Sequence, residues 1–183
     1  MKKTIKLAIL GLLTLGIQKA NAQVEFMQSL GLTGYTFSAG SSESGSGYGF
    51  NYSPRLNFLE LATDVNLSIG SHLGGGFALN SRTGGTALLD IPLTCELNLG
   101  HHANSDASSN FGGFIGGGVG YNYMAYEDTW GGGTASTAGI YFDAGLKAYI
   151  MERSVGLKVS YLKGFTGSNQ VIGIGIMYNL GDF

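Results

Sequence analysis

The sequence predicts an all-β fold, an eight-stranded antiparallel up-and-down transmembrane β-barrel, from three observations. Apolar residues alternate with small or polar residues in eight successive segments, which is the pattern of strands with one apolar face. The face opposite the apolar one consists mostly of Gly, Ser and Asn, and 32 of the 183 residues are Gly. The segments are also long enough for tilted strands, which need about 9–11 residues to cross a bilayer.

The first 22 residues predict a secretory signal peptide. Three lysines precede an uncharged apolar run over residues 7–17, and Ala20-Asn21-Ala22 fits the small-residue cleavage motif. We expect cleavage between Ala22 and Gln23, which leaves one barrel domain over residues 23–183. An uncleaved membrane anchor is the alternative, but about 11 apolar residues are fewer than the roughly 20 that a membrane-spanning helix needs.

The alternation is clearest over residues 48–58, where Tyr48 and Phe50 lie on one side and Gly49 and Asn51 on the other. Seven further segments repeat the pattern. In chain order, the predicted strands span residues 24–37, 48–58, 66–79, 86–99, 111–126, 137–151, 155–165 and 170–181.

The connections between these segments are rich in Gly, Ser, Asn and Asp, which tolerate turn conformations. None is long enough for a crossover helix, so neighbouring strands are expected to be antiparallel and to form one meander without a second domain. The predicted connections are residues 38–47, 59–65, 80–85, 100–110, 127–136, 152–154 and 166–169.

The Gly-rich face indicates which side of the barrel contacts water. A soluble barrel that binds a hydrophobic ligand would turn its apolar face inward, whereas a membrane barrel turns it to lipid. Gly has low β propensity on a solvated strand, but inside a narrow barrel it leaves room for larger side chains. We therefore expect Phe50, Leu93 and Ile174 to face lipid. The secreted soluble barrel remains the alternative.

Six charged residues fall on the face assigned to the barrel interior. Three cations would meet three anions in a lumen with little water, where charges must pair or folding becomes costly. We predict a charge network that plugs the lumen, and we keep a narrow gated channel as the alternative. The six residues are Arg55, Asp90, Glu96, Asp143, Lys147 and Lys158.

We predict no catalytic, cofactor-binding or metal site. The single Cys excludes an internal disulfide and a multi-cysteine metal site, and the excess of acidic over basic residues disfavours nucleic-acid binding. We interpret His101-His102 beside Asp106 as polar turn sequence rather than metal ligands. A lipid-modifying enzyme could use His72 and Ser68, but four strand positions separate their Cα atoms by roughly 13 Å, too far for direct pairing.

Trp130 is a candidate surface contact. It lies in a predicted loop between Glu127-Asp128 and a Gly run, where an exposed Trp could anchor a partner. A rim aromatic that rests on lipid headgroups is the alternative interpretation.

These features resemble the small eight-stranded outer-membrane β-barrel proteins of Gram-negative bacteria, the class of the OmpA transmembrane domain and OmpX. The resemblance covers residues 23–183 and depends on the Gly and aromatic alternation, as in Tyr52–Phe58 and Asn110–Gly118. The ending Gly175–Leu180 is similar to a Bacteroidetes-type barrel terminus. Because the apolar phase ends at Leu180, the sequence leaves open whether Gly181-Asp182-Phe183 belongs to the last strand.

The resemblance implies a monomer in the cell outer membrane, in contact with outer-membrane lipid and inserted by the barrel-assembly machinery. The resemblance does not imply one activity. We expect a non-enzymatic structural or surface-interaction role, carried by residues 38–47, 80–85, 127–136 and 166–169. A soluble ligand-binding barrel and an outer-membrane lipid-modifying enzyme are the two functional alternatives.

Overall fold

The computed structural model describes residues 24–39, 43–80, 84–128, 131–151, 153–167 and 169–182. The predicted signal peptide, its cleavage site at Ala22 and Gln23, and Trp130 lie outside the described residues. Within them no helix is long and apolar enough to cross a membrane. The strands are β1 (Glu25–Ala39), β2 (Glu43–Ala62), β3 (Val65–Gly70), β4 (Leu73–Asn80), β5 (Gly84–Gly100), β6 (Phe111–Asp128), β7 (Gly131–Ile150), β8 (Arg153–Gly164) and β9 (Gln170–Asp182).

These strands form a closed antiparallel ring in which chain neighbours are also spatial neighbours. β3 and β4 are two halves of one strand, because both pair with β2 and with β5. β1 pairs with β2 on one side and with β9 on the other, which closes the ring with eight strands. The predicted all-β, eight-stranded up-and-down barrel is therefore confirmed.

The interruption between β3 and β4 has a cause in the sequence. The chain has two prolines, and they lie on the two strands that flank the interruption, Pro54 on β2 and Pro92 on β5. Proline has no backbone N–H, so neither can donate to the ladder at this point. Ser71 bonds to both, with its N–H donating to the Pro54 carbonyl at 3.0 Å and its hydroxyl to the Pro92 carbonyl at 2.5 Å. The register continues across the gap.

The apolar side chains lie on the outside of the barrel. Phe50, Leu93 and Ile174 are 73%, 57% and 63% exposed. The positions that alternate with them are buried and largely polar or Gly. The prediction that the apolar face points outward is therefore confirmed. Successive side chains of a strand lie on opposite sides of the sheet, so alternation in the sequence becomes an apolar outer face and a polar inner face.

Four hairpin connections, after Ala39, Asn80, Asp128 and Gly164, define what we call the upper end of the barrel. The turn of residues 101–110 marks the lower end. Apolar side chains also fill the upper half of the interior, although the alternation of the sequence predicts mostly small and polar residues on the inner face. They are in phase with the inward positions, and they form one cluster of Tyr35, Leu88, Met124, Tyr141, Leu162 and Val171.

Several predicted connections are largely strand in the structure, and residues 59–62 and 65 of the predicted connection 59–65 belong to β2 and β3. Residues 43–47 of the predicted connection 38–47 belong to β2, and residues 131–136 of the connection 127–136 belong to β7. Gly and Ser do not end these strands, because pairing across the hairpin holds them extended. At Gly45 a Cβ would collide with the ring of Phe37 on β1, so the small residue lets that ring lie across the paired strand.

The structure also shows where the last strand ends. Gly181 and Asp182 pair with Gln28 and Met27 of β1, after a register shift between Gln28 and Ser29. Both residues therefore belong to the last strand, and Phe183 lies outside the described residues.

The close approach of β5 and β6 gives a test of this packing. A Cβ at Gly118 would collide with the carbonyl oxygen of Leu93, whereas a Cβ at Gly75 would meet no atom within 4 Å. We expect Gly118→Ala to lower the free energy of unfolding in a urea titration by about 1–3 kcal/mol, because the strands must move apart. The control Gly75→Ala should leave it unchanged or slightly raised. Equal effects of the two substitutions would contradict the described packing.

Candidate functional site

The barrel interior holds all six charged residues that the sequence analysis selected. Each is buried, with at most 8% of its surface exposed. They come from four different strands, so only closure of the ring brings them into one compartment. The six are Arg55 on β2, Asp90 and Glu96 on β5, Asp143 and Lys147 on β7, and Lys158 on β8.

The contacts among them differ from direct cation–carboxylate pairs. Among the side chains that the structure describes, the ion-pair contacts are made by His72, with Glu96 and with Asp143. Arg55 and Lys147 donate to amide and carbonyl oxygens instead. A histidine that the prediction left out of the network therefore stands at its centre.

We call His72, Ser53, Glu96 and Asp143 the central cluster. The Nε2 atom of His72 lies 3.1 Å from Glu96 Oε1 and 2.7 Å from Asp143 Oδ2. Its Nδ1 atom lies 2.6 Å from the hydroxyl oxygen of Ser53. Both ring nitrogens are thus engaged, one by a hydroxyl and the other by two carboxylates.

Glycine on β6 makes this convergence possible. Gly116 pairs with Glu96 on one side and with Asp143 on the other, so the three residues form one row across β5, β6 and β7. A Cβ at Gly116 would collide with Asp143 Oδ1 and lie 2.7 Å from Glu96 Cγ. The absence of a side chain at Gly116 lets two carboxylates that start two strands apart reach the same imidazole.

His72 is held from other directions as well. Phe114 stacks on its ring with 5.8 Å between centroids, and Lys147 places its Nζ atom 5.2 Å from the centroid of the Phe114 ring. Thr94 donates its hydroxyl hydrogen to Glu96 Oε1 at 2.7 Å. These contacts fix the orientation of the imidazole and of one carboxylate.

A second set of contacts closes the lower end of the barrel. The turn of residues 101–110 folds against the lumen, and Ala103 is completely buried. The backbone carbonyl of His102 accepts hydrogen bonds from Arg55 and Lys147, and both cations also donate to Asn98 Oδ1, at 2.9 and 3.1 Å. The two buried cations therefore hydrogen-bond to backbone and amide oxygens rather than directly to carboxylates.

The two histidines of this turn do not act as a pair of ligands with Asp106. His101 has Ser109 O at 2.9 Å from its Nδ1 and Ser154 Oγ at 2.9 Å from its Nε2, so both of its nitrogens have partners within the protein. His102 has a positive φ of 57°. Burial, together with the positive charges of Arg55 and Lys147, lowers the pKa of its imidazole from 6.5 to about 2. This ring is neutral in the folded chain.

Ser68 and His72 do not pair, as the sequence spacing indicated. Ser68 accepts a hydrogen bond from Asn98, and the hydroxyl beside His72 belongs to Ser53 on β2. The central cluster thus combines a hydroxyl, an imidazole and an acid, the elements of a hydrolytic triad. The space at the cluster is about 10 Å³, which is room for roughly one water molecule and for no acyl substrate.

Two proteins of known structure share this barrel fold. Ail, the attachment invasion locus protein of Yersinia pestis, is 14% identical and superposes with a TM-score of 0.59, covering 85% of this chain and 98% of Ail. Neisserial surface protein A is 12% identical with a TM-score of 0.58, covering 86% of this chain and 97% of that protein. The predicted structural class, the small eight-stranded outer-membrane β-barrels, is confirmed at the level of fold. No protein-family model matches the chain, and no curated protein matches it in sequence.

The sequence alone did not reveal the central position of His72, because no local motif marks it. The same holds for four residues around it: Ser53, Thr94, Asn98 and Phe114. All are inward-facing by parity, but their partners are set by the register between strands. The row of Glu96, Gly116 and Asp143 is the one feature that a correct register, read from the sequence, would have revealed.

The neutral state of His102 predicts a pH dependence of stability. Its folded pKa of about 2 lies below the unfolded value of 6.5, so below about pH 6.5 the unfolded chain binds a proton that the folded chain does not. Stability is then lost as the pH falls, by about 1 kcal/mol per pH unit. We expect His102→Asn to reduce this loss between pH 7 and pH 5, measured by urea titration in detergent. Asn also tolerates the positive φ.

The comparison at pH 8 is the control, because the imidazole is then neutral in both states and the variant reports the cost of the substitution alone. An unchanged pH slope in His102→Asn would show that His102 does not resist protonation.

Proposed function

We propose that this chain is a non-enzymatic outer-membrane protein with a closed lumen and a structural or surface-interaction role. The observation that carries the proposal is the inverted distribution of side chains, with apolar residues outside and a filled, mainly polar interior. A lipid bilayer is the solvent that such an exterior fits. The likeness to outer-membrane barrels supports the same location through the fold.

Exposed aromatic residues at both ends of the barrel agree with two membrane interfaces. Tyr48 and Phe77 face each other across β2 and β4 near the upper end, and they are 82% and 75% exposed. Phe111 begins β6 near the lower end and is 77% exposed. Aromatic side chains favour the headgroup region, where their rings contact both lipid and water.

The interaction role is assigned to the upper hairpins. β6 and β7 have 18 and 20 residues, more than the roughly 9–11 that a tilted strand needs to cross. Their paired ends therefore extend past the bilayer as a stiff hairpin instead of a loose loop. This hairpin carries Trp130 at its tip in the sequence, and we keep Trp130 as the proposed surface contact.

The lumen is proposed to be closed. The apolar cluster around Tyr141 fills its upper half, the polar contacts around His72 fill its middle, and the turn of residues 101–110 covers its lower end. Water molecules and ions would have to displace packed side chains to pass through. Among the described residues, this packing also leaves no apolar internal cavity in which a soluble carrier could hold its ligand.

A charge on the outer face tests the membrane location. Ile174 lies near the middle of β9 and Leu180 near its end, and both point outward. We expect Ile174→Lys to lower the free energy of unfolding in lipid vesicles by about 2–4 kcal/mol and Leu180→Lys by about 0–1 kcal/mol, because the cost of a charge falls toward the interface.

The wild-type chain should require detergent for release from isolated outer membranes. Release without detergent, or an Ile174→Lys variant of unchanged stability, would support the soluble barrel.

Conductance tests the closed lumen. We expect the purified protein, reconstituted into planar bilayers, to show no stepwise ion currents, because the packed interior blocks passage. Insertion is checked on the same preparation by flotation of the protein with lipid vesicles, because a chain that fails to insert would also show no currents. Currents through the wild type would favour the gated channel.

A further inference from the structure

We propose that the central cluster is a binding site for one divalent transition-metal ion, held by His72 Nε2, Glu96 Oε1 and Asp143 Oδ2. These three residues are buried, and their ligand atoms lie within 4.8 Å of one another. The inference departs from the sequence prediction of no metal site, and it does not depend on the proposed surface role.

The carboxylate of Asp143 is the strongest reason. Its side chain is 0% exposed, yet neither of its oxygens has a hydrogen-bond partner. His72 Nε2 lies 2.7 Å from Oδ2 without the alignment of a hydrogen bond. A buried carboxylate that accepts no hydrogen bond is expensive, and a cation bound to it compensates that cost most directly.

A proton on the imidazole does not complete the cluster. The Nε2 atom faces both Glu96 and Asp143, but it carries at most one hydrogen and so satisfies at most one of the two carboxylates fully. A divalent ion between the three side chains would neutralise both carboxylates at once. The distances of 2.7 and 3.1 Å from Nε2 to the carboxylate oxygens are close to those between neighbouring ligands of a metal with bonds of about 2.0–2.2 Å.

The surroundings have the form of a second coordination shell. Ser53 Oγ lies 2.6 Å from Nδ1 of His72, and when Nδ1 carries the hydrogen this contact leaves the lone pair of Nε2 free for a metal. Thr94 donates a hydrogen bond to Glu96 Oε1 and holds that carboxylate in place. Metal-bound histidines and carboxylates are oriented by such contacts.

The donor set selects the class of ion. One imidazole nitrogen and two carboxylate oxygens suit zinc, manganese or ferrous iron, whereas the absence of a thiolate from the three disfavours copper(I). The space of about 10 Å³ beside the cluster has room for roughly one water molecule as a further ligand. Because packed side chains lie above and below, the ion would enter while the barrel folds and would exchange slowly afterwards.

The test is a metal measurement on the full chain, expressed, purified in detergent and unfolded in urea with a chelator. It is refolded with Zn²⁺, with Mn²⁺, with Fe²⁺ under anaerobic conditions, or with the chelator alone, then desalted and analysed by elemental mass spectrometry. We expect close to one ion per folded chain with at least one of the metals. The ion should resist a chelator until the chain is unfolded, and it should raise the urea midpoint.

Matched variants locate the ion. Asp143→Asn and Glu96→Gln keep the side-chain volume and should reduce bound metal to background and abolish the shift in the urea midpoint. Asp90→Asn removes another buried lumen carboxylate outside the cluster and should retain the ion. X-ray absorption of the wild-type zinc form should show one imidazole with oxygen ligands and no sulfur, which keeps the test decisive if a variant fails to fold.

Two outcomes would overturn the proposal. One is a wild-type chain that folds without taking up any of the three metals, which would mean that a proton alone occupies the cluster. The other is metal that remains in Asp143→Asn and Glu96→Gln, or a sulfur ligand from Cys95, which would place the ion elsewhere.

Discussion

Closure of a narrow sheet is the constraint on which the other features depend. An eight-stranded ring has no free edge, and its interior is just wide enough for side chains to fill. Every second residue must therefore fit a small space and find a partner there without bulk water. Gly116 and Gly118 show how the chain meets this demand. Each lacks a side chain at a point where an atom of a neighbouring strand, from Asp143 or from Leu93, occupies the space.

The interior is divided into layers with different chemistry. The upper layer is apolar and contains Tyr141, while the middle layer contains His72 with two carboxylates. The lower layer holds Arg55 and Lys147 against the turn of residues 101–110. Arg55 and Lys147 line the same small space as Glu96 and His72, but their hydrogen bonds go to Asn98 and to the His102 carbonyl rather than to a carboxylate.

The two prolines connect backbone and site. Pro54 and Pro92 leave the ladder without donors at Ser71 and His72, where the third strand of the ring is interrupted. His72, one of the two residues at this interruption, supplies the imidazole at the centre of the central cluster. A local loss of backbone hydrogen bonds and a dense set of side-chain contacts therefore coincide at one level of the barrel.

The sequence by itself determined the strands, their antiparallel order and the direction of each face, because period-two alternation is a local property and short connections permit only one topology. It also placed Arg55, Glu96 and Asp143 on the inner face. It did not determine the partners of these residues, or that the hairpins of β1–β2 and β6–β7 continue as strands. Those outcomes depend on register, the offset between distant segments, and only closure of the ring sets that offset for all strands together.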